Sequence, residues 1–597
     1  MSSLPFARRL LLPFLFPLCA SLGLAQNAAP RIYDVRAFGA TGDGKTVDSA
    51  AINKAIEAAA AAGGGTVEFP AGTYLSFSIR LKSHIALHLQ PGSTIVAATA
   101  GPDITGDYDA AEPNEWGDKF QYQDFGHSHF HNSLIWGDGL EDVSITGPGL
   151  IYGKGLSRAN GGGGGGRGRG AGGPNGTPTP GDVAGTVPGA APAAPAPAAA
   201  PAGGRGERGG AGGGGFNNTG GNKSIALKNC RNVTLRDFSV LQGGWFALLA
   251  TGVDNFTIDN LRVDTNRDGF DIDACRNVRI TNCSVNAIND DAIVLKSSYA
   301  LGELRSCENF TITGCQVTGY DPGSFLDGTF KHTQERANDR DGPTGRIKFG
   351  TESNGGFKNI TIANCVFDRS RGLALESVDG AVIEDVTITN ITMRDVSNSP
   401  IFIRLGNRAR GPEGTAPGII RRVTISHIVA DNVDPRYPIT ITGLPGHPIE
   451  DLRISDVRVL YRGGLTLENA AQQPPDLVNT FFLRGAGLAG PRDPYSPPEQ
   501  EKAYPEPSMF GLLPAYGAYI RHARHVSFRD VEVGFAKDDT RPAIVLDDVT
   551  GAEFEHVKAQ RAGGAPFFVL RKVQDFSVRN SPGVADTRRE AADQESL

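Results

Sequence analysis

A short phrase recurs along most of the chain and constrains the fold more than any other feature. In each copy an Asn, Asp or Arg precedes alternating apolar and polar residues, and the clearest copies step by 23 residues from Val233 to Phe256 and by 22 from Phe256 to Val278. Such alternation is typical of half-buried strands, and a period in the twenties with Asn, Asp and Gly turns is typical of a solenoid. The pattern of leucine-rich repeats and long helical patterns are absent from these repeats. We therefore predict an all-β fold, a single-stranded right-handed parallel β-helix. Further copies centre on Val143, Phe310, Ile360, Val386, Val423, Leu452, Val526, Phe554 and Phe576.

The segments that flank the repeats predict how the solenoid ends. Residues 48–62 are amphipathic and rich in Ala, and they run into Gly63–Gly65, which indicates a helix with a glycine stop. An open coil exposes apolar core and strand edges, so we interpret this helix as an N-terminal cap. We expect the β-helix domain to span residues 31–580 and a C-terminal tail to follow at 581–597.

Two further segments have compositions that set them apart from the repeats. Residues 1–25 resemble an export signal, because Arg8 and Arg9 precede an apolar stretch at 10–18 that is too short to span a bilayer. We expect an exported protein, periplasmic or extracellular, with no membrane segment in the mature form. Residues 160–221 consist of glycine runs and Ala-Pro repeats, a composition that predicts a disordered insert within one coil.

Cysteine placement and net charge narrow the classes of function. Cys230, Cys283, Cys315 and Cys365 recur at similar points of the repeat, which favours stacked core residues over disulfides even in an exported protein. No Cys-x-x-Cys motif argues for zinc. The net charge of -7 gives no sign of the basic face that nucleic-acid binding requires. We expect no nucleic-acid partner and a monomer.

Two acidic motifs lie about one coil apart. Asp268 stands in the segment 266–271, and the Asp290–Asp291 pair stands in 289–297, so that Asp268 and Asp290 are 22 residues apart. Residues one repeat apart lie on neighbouring rungs, about 5 Å up the stack. Acidic residues often occupy solvated turns, but three carboxylates this close cannot all ionise easily, which suits acid–base cleavage of glycosidic bonds.

With these residues in place, the chain resembles glycoside hydrolase family 28, the polygalacturonase-like pectin hydrolases. Asn266–Asp268 is similar to the family's Asn-x-Asp motif, Asn289–Asp291 to its Asp-Asp motif, and Lys296–Ser297 follows as in the family. Residues 349–356 resemble its Gly-Ser-rich turn, and 35–44 resemble the start of bacterial members. The resemblance covers roughly residues 31–460 without the insert.

The resemblance implies a mechanism and a substrate class. It implies hydrolysis with inversion of a pectic polysaccharide or oligosaccharide, with Asp290 as general acid and with Asp268 and Asp291 holding and activating the water. Neighbouring rungs are closer than the roughly 6.5 to 9.5 Å expected between inverting carboxylates, so the stereochemistry rests on the resemblance. No metal and no cofactor are expected.

The chain departs from the family pattern where substrate is bound. The family's Gly-His-Gly has no counterpart in 344–348, and its Arg-x-Lys pair is replaced by Ala374 and Glu376. These departures favour a pectic linkage other than plain homogalacturonan, such as one in rhamnogalacturonan. Arg404 or Arg408, one coil further on, would then supply a cation beside Glu376.

Arg346-Ile347-Lys348 spells the missing Arg-x-Lys motif one coil too early. We group as candidate substrate-binding residues the charged and amide side chains of these coils: Lys296, Arg346, Lys348, Glu352, Asn354, Glu376, Arg404 and Arg408.

Two other functions stay open on the sequence alone. One is a calcium-dependent polysaccharide lyase on the same fold, which requires carboxylates around the ion and an Arg base. The other is a non-catalytic β-helix that binds glycans. Trp245 is a candidate sugar platform, and the Pro-rich segment 504–511 either folds over the cleft or braces the coils.

The composition of the insert predicts that it adds little to stability. Deletion of residues 160–220 should leave the melting temperature of the protein nearly unchanged, because a segment that buries no core contributes no unfolding enthalpy. Differential scanning calorimetry of the deleted and full-length chains checks this. A fall of more than a few degrees would show that the insert packs against the body.

Overall fold

The computed structural model describes residues 31–111, 129–157, 220–337, 341–478 and 488–597. The expected export signal and all but two residues of the expected insert lie outside these ranges. The described residues form a right-handed parallel β-helix, which confirms the predicted fold class. Val233 pairs in parallel register with Phe256, and Phe256 with Val278, as the repeat predicts.

The first coils begin with short strands and one helix, α1 (Ser49–Ala61). Their strands are β1 (Ile32–Asp34), β2 (Asp43–Val47), β3 (Gly65–Phe69), β4 (Gly72–Ser76), β5 (Ile79–Arg80), β6 (Ile85–Leu89), β7 (Ser93–Ala97), β8 (Ser133–Asp138), β9 (Glu141–Thr146) and β10 (Leu150–Tyr152).

In the middle of the solenoid each coil contributes three short strands. These are β11 (Lys223–Lys228), β12 (Arg231–Arg236), β13 (Ser239–Leu241), β14 (Phe246–Thr251), β15 (Asp254–Asp259), β16 (Arg262–Thr265), β17 (Asp268–Asp273), β18 (Arg276–Thr281), β19 (Ser284–Ala287), β20 (Ile293–Ser297), β21 (Cys307–Thr313), β22 (Gln316–Thr318) and β23 (Ile347–Ser353).

In the later coils two or three of the short strands merge into one long strand, and a second helix, α2 (Leu467–Gln472), follows β30. The strands are β24 (Phe357–Asp368), β25 (Leu373–Ser377), β26 (Val382–Arg394), β27 (Ile401–Leu405), β28 (Ile419–Val433), β29 (Ile439–Thr442), β30 (Ile449–Gly463), β31 (Ala518–Lys537), β32 (Ile544–Glu555), β33 (Lys558–Ala559), β34 (Phe568–Arg579) and β35 (Thr587–Ser596).

One face of the solenoid carries the acidic motifs, and we call it the site sheet. It consists of β8, β11, β14, β17, β20, β23, β25, β27, β29 and the first parts of β31, β32 and β34, paired in parallel in that order. Inward side chains of all coils form one continuous apolar core.

The Asn of the repeated phrase forms a ladder that explains the phrase. Asn232, Asn255, Asn277, Asn309 and Asn359 adopt left-handed backbone conformations with φ between 53° and 60°. Asn232 donates to Asp142 one coil earlier at 2.9 Å, and each of the other four donates to the amide oxygen of the Asn one coil earlier, at 3.0, 3.3, 3.0 and 2.7 Å. Asn tolerates this backbone better than most residues, so the turn and the stacking select the same residue.

The cysteines are buried and form no disulfides among the described residues, as expected. The expectation that all four repeat cysteines lie at similar points of the repeat is wrong for one of them, Cys230. Cys283 and Cys315 lie at the turns before β19 and β22, and Cys365 lies at the equivalent bend inside β24, whereas Cys230 precedes β12. Each coil has two turns that accept a small residue after Asn, so the two sets are not one ladder.

Both ends of the solenoid are covered. The residues of α1 that pack on the first coils are Ile52, Ala55, Ile56 and Ala59, which confirms the predicted cap. The segment 581–597, expected to be a tail, contains β35, which pairs antiparallel with β34 along the last coil. Among the described residues, no helix has the length and apolar character needed to cross a membrane.

The cap should contribute measurably to stability. Ile56→Ala removes a fully buried side chain from α1 and should cost about 2 to 5 kcal/mol of unfolding free energy. Urea unfolding followed by circular dichroism measures the loss. Glu57→Ala, on the exposed face of the same helix, is the matched control. Equal stability of the two variants would contradict the role of α1 as a cap.

Candidate active site

Three carboxylates meet at one edge of the site sheet. Asp268 opens β17, and Asp290 and Asp291 lie in the turn that leads into β20. One oxygen from each lies within 4.8 Å of the others. The backbone N–H of Asp291 donates to Asp268 at 3.1 Å and to Asp290 at 3.2 Å, which holds the three groups together.

Burial and charge separate the protonation states of these groups. The pKa of Asp268 is raised well above its usual value, first by burial and then by the negative charge of Asp290. The pKa of Asp291 is lowered: burial opposes ionisation, but Lys348 and Arg346 together outweigh it. The site therefore favours one protonated and one ionised carboxyl group side by side.

Arg267, inside the first acidic motif, contacts the third carboxylate. Its Nη2 atom lies 2.6 Å from Asp290 Oδ2. The guanidinium also stands over the ring of Trp245, 5.6 Å from its centroid. Trp245 was a candidate sugar platform; in the structure one side of its ring supports Arg267, and through Arg267 the position of Asp290.

Arg346 and Lys348, candidate substrate-binding residues, hold Asp291 in the structure. Arg346 Nε lies 2.7 Å from Asp291 Oδ1, and Lys348 Nζ lies 3.4 Å from Asp291 Oδ2. Both side chains are 2% exposed, so they lie beneath the carboxylate. Gly345 makes the preceding turn, with φ of 44° and a position where a Cβ would come within 2.1 Å of the Thr318 carbonyl oxygen.

A segment far away in sequence completes this arrangement. Residues 493–513, between β30 and β31, cross the site sheet, and we call them the strap. Glu506 of the strap binds Arg346 Nη2 at 2.9 Å and Arg371 Nη1 at 2.9 Å. The hydroxyl of Tyr504 accepts a hydrogen bond from Lys348 Nζ at 3.2 Å. The segment 504–511 thus both reaches the acidic site and packs against the coils.

Sequence reasoning missed Arg371 and the role of Glu506. Arg371 is fully buried and bridges Glu506 and Asp341, both at under 3 Å. Glu506 is 160 residues from Arg346 in the chain, so no local pattern joins them. The sequence signal that could have drawn attention to Glu506 is its position between two prolines, in a segment that lacks the repeated phrase.

Two other candidate cations, Lys296 and Arg408, are also paired with carboxylates. Lys296 Nζ lies 3.1 Å from Asp271 and 3.1 Å from Glu352. Arg408 binds Asp379 and lies 3.7 Å from Glu352. These contacts bring Lys296, Glu352 and Arg408 into one network next to the three aspartates.

Three remaining candidates fall in different places. Asn354 donates to the backbone of Arg410 at 3.0 Å, which fixes a turn. Glu376 is fully buried beside Lys348 at 3.5 Å. Arg404 does not supply a cation to the site, contrary to expectation. It is completely buried, and Nη2 donates to the Glu499 carbonyl oxygen of the strap at 2.9 Å.

Two family models match parts of the chain. The model described as rhamnogalacturonase A/epimerase, pectate lyase-like, matches residues 32–106, and the model of the right-handed β-helix region matches 216–339. Both matches agree with the right-handed parallel β-helix of the described residues.

Curated relatives match shorter stretches. An exo-poly-α-D-galacturonosidase of Dickeya chrysanthemi is 31% identical over 134 residues, covering 22% of this chain and 21% of the relative. A mannuronan C5-epimerase, AlgE3 of Azotobacter vinelandii, is 46% identical over 72 residues, covering 12% of this chain and 4% of the relative. The chain thus spans about a fifth or less of the length of these two relatives.

Solved structures share the fold over most of the chain. A family 28 exopolygalacturonase of Yersinia enterocolitica has a TM-score of 0.54 at 17% identity, covering 88% of this chain and 79% of that one. An exopolygalacturonase of Thermotoga maritima has a TM-score of 0.50 at 19% identity, covering 72% and 87%. Together these findings confirm the resemblance to the polygalacturonase-like glycoside hydrolase family 28.

The buried Glu376 makes stability depend on pH. Burial raises its pKa from 4.5 to about 7, although Lys348 opposes the shift. Between these values the folded state keeps a proton that the unfolded chain has released, so the unfolding free energy falls as pH rises.

Glu376→Gln removes this titration and should gain stability relative to the parent protein across that window, by up to about 3 kcal/mol. Urea unfolding at pH values of about 4 and about 8 measures the difference. Glu553→Gln, exposed on β32, is the control and should show no such change between the two pH values. A constant difference between Glu376→Gln and the parent protein at both pH values would contradict the prediction.

Proposed function

We propose that the protein is a glycoside hydrolase that cleaves a pectic polysaccharide by acid–base hydrolysis with inversion. The observation that carries this is the group of three carboxylates within 4.8 Å, in which the pKa of Asp268 is raised and that of Asp291 lowered. Hydrolysis of a glycosidic bond needs one group that gives a proton and one that takes a proton from water. The inversion itself is taken from the family resemblance.

Each aspartate then has a role. Asp290, the most exposed of the three with 14% of its side chain accessible, is the general acid that the family resemblance implies, and it gives a proton to the leaving glycosidic oxygen as the bond to the anomeric carbon breaks. Water attacks that carbon, and Asp291, kept ionised by Arg346 and Lys348, takes the proton of the water. Asp268 lies close to both groups, holds the water, and offers a path by which the proton returns to Asp290.

The pairing of the cations supports a substrate other than plain homogalacturonan, such as rhamnogalacturonan. Lys296, Arg346, Lys348 and Arg408 each contact carboxylates of the protein itself. A uronate would have to compete with these buried partners, and breaking a buried pair is costly. We further propose that the protein is exported and acts as a monomer.

A lyase of the same fold is the second candidate, because three carboxylates this close also suit a hard cation such as Ca²⁺. Its elimination step would need a cationic side chain that gives up its proton. Burial alone would lower the pKa values of Arg346 and Lys348, but neighbouring carboxylates raise them by more. These are chiefly Glu506 and Asp291 for Arg346, and Asp291 and Glu376 for Lys348. Both side chains are therefore poor bases. The charges therefore favour hydrolysis.

Product chemistry distinguishes the candidates. The protein should release reducing ends from a pectic polysaccharide, equally with and without a chelator, and without products that absorb in the ultraviolet. A panel of homogalacturonan and rhamnogalacturonan should show weaker activity on homogalacturonan. Unsaturated products that vanish with chelator would establish a lyase, and no products on any member of the panel would leave a glycan-binding protein.

Substitution of the aspartates tests the mechanism. Asp290→Asn, Asp268→Asn and Asp291→Asn should each lower turnover at least about a hundredfold, because an amide can neither give nor take the proton. Asp142→Asn, exposed on β9 and outside the site sheet, should turn over normally. Near-normal turnover by Asp290→Asn would refute the mechanism, and a preference for homogalacturonan would refute only the substrate assignment.

A further inference from the structure

The strap runs along the outer face of the site sheet, from the last coil toward the three aspartates. At its start Asp493 lies 3.2 Å from Arg571, which belongs to β34. Further on, the Pro497 carbonyl oxygen accepts from Arg521 Nη1 of β31 at 2.8 Å. The strap therefore follows the solenoid axis, coil by coil.

The same course continues to the acidic site. The Glu499 carbonyl oxygen accepts from Arg404 of β27 at 2.9 Å, and Tyr504 accepts from Lys348 of β23 at 3.2 Å. Glu506 then binds Arg346, the residue that contacts Asp291. From Arg571 to Lys348 each contact lies one or more coils nearer to the aspartates than the last, and Arg346 belongs to the same coil as Lys348.

The sheet beneath the strap is apolar and covered. The outward side chains Ala374, Phe402, Tyr519, Val545 and Val569 share one position on coils of the site sheet, with the buried Thr440 of β29 between Phe402 and Tyr519. They form one buried cluster with three side chains of the strap, Met509, Phe510 and Leu513, and with Ala515, which lies just after the strap. This part of the sheet is occupied by protein, so a polysaccharide has no access to it.

The opposite side is covered as well. Phe130 packs on Ala226, Phe246 and Leu249, which lie in β11 and β14, the coils before Asp268. Of the coils that the structure describes, those of β17 and β20 remain between the two covers, because the strap already contacts Arg346 and Lys348 of the β23 coil. This leaves a width of roughly 10 Å at about 4.8 Å a rung. The side chains of Asp290 and Asp291 are only 14% and 5% exposed.

We infer that the strap closes the substrate site on the side of the later coils, so that the enzyme removes sugars from the end of a glycan chain and does not cut within it. An internal bond reaches the aspartates only if the polymer continues on both sides of them. Along the site sheet the strap already lies where that continuation would run. This inference rests on the proposed function, since it concerns the mode of the same hydrolysis.

The test compares viscosity with bond cleavage on the polysaccharide of the panel that the protein hydrolyses best. The wild-type protein should release small sugars from the first time points while viscosity falls slowly. A rapid loss of viscosity with medium-sized oligomers would overturn the inference and leave the proposed hydrolysis standing. Failure of the proposed function has a different signature, since it gives no reducing ends at all.

A variant that weakens the docking of the strap tests whether the strap is what prevents internal cleavage. Glu499→Ala removes the ion pair with Arg521 and the contact with His522 without touching the aspartates. The undocked fraction of the strap, and with it the share of internal cuts, should rise roughly fivefold. Lys502→Ala, exposed on the same strap, is the matched control. An equal share of internal cuts in both variants would show that the strap is not the barrier.

Discussion

The hydrogen-bonded stacking of parallel coils is the constraint on which the rest of this structure depends. Each residue of the site sheet lies directly above its counterpart, about 4.8 Å away, so a charge on one rung lies close to the side chain on the next rung. In the turns this spacing suits Asn, whose side chain donates a hydrogen bond to the Asn of the coil before. On the site sheet the same spacing brings Asp268 against Asp290 and Asp291.

Buried carboxylates that lie close together need cationic partners, and in this site carboxylates and cations alternate. Asp291 faces Arg346 and Lys348 from the next rung, and Arg346 in turn faces Glu506 of the strap. Removing one member of such a chain would leave a buried charge unpaired, which is far more costly than losing a surface ion pair. Asp268 differs: burial, and after it the negative charge of Asp290, raises its pKa, so that it can stay neutral.

The sequence predicted the features that depend on short-range periodicity. Steps of 22 and 23 residues were enough to place Val233, Phe256 and Val278 on one ladder and Asp268 beside the Asp290–Asp291 pair. It could not predict contacts that depend on how a long excursion returns to the body. Arg404 was expected to face substrate, and it faces the strap because the strap lies over its coil.

The departures from the family pattern make physical sense as a set. Where the family has an Arg-x-Lys pair, this chain has Ala374, which packs beneath the strap, and Glu376, which is buried. The Arg and Lys stand one coil earlier, as Arg346 and Lys348, and their charges are used within the protein by Asp291, Glu376 and Glu506.

In that position the two cations cannot easily serve a sugar carboxylate, because they already hold an aspartate of the site in its ionised form. The cations have thus exchanged a role in binding for a role in positioning. The strap makes the exchange possible, since Glu506 offsets the charge of Arg346 that Asp291 alone would leave partly unbalanced. The ionisation of Asp291 and the docking of the strap on Arg346 and Lys348 are therefore consequences of one buried network.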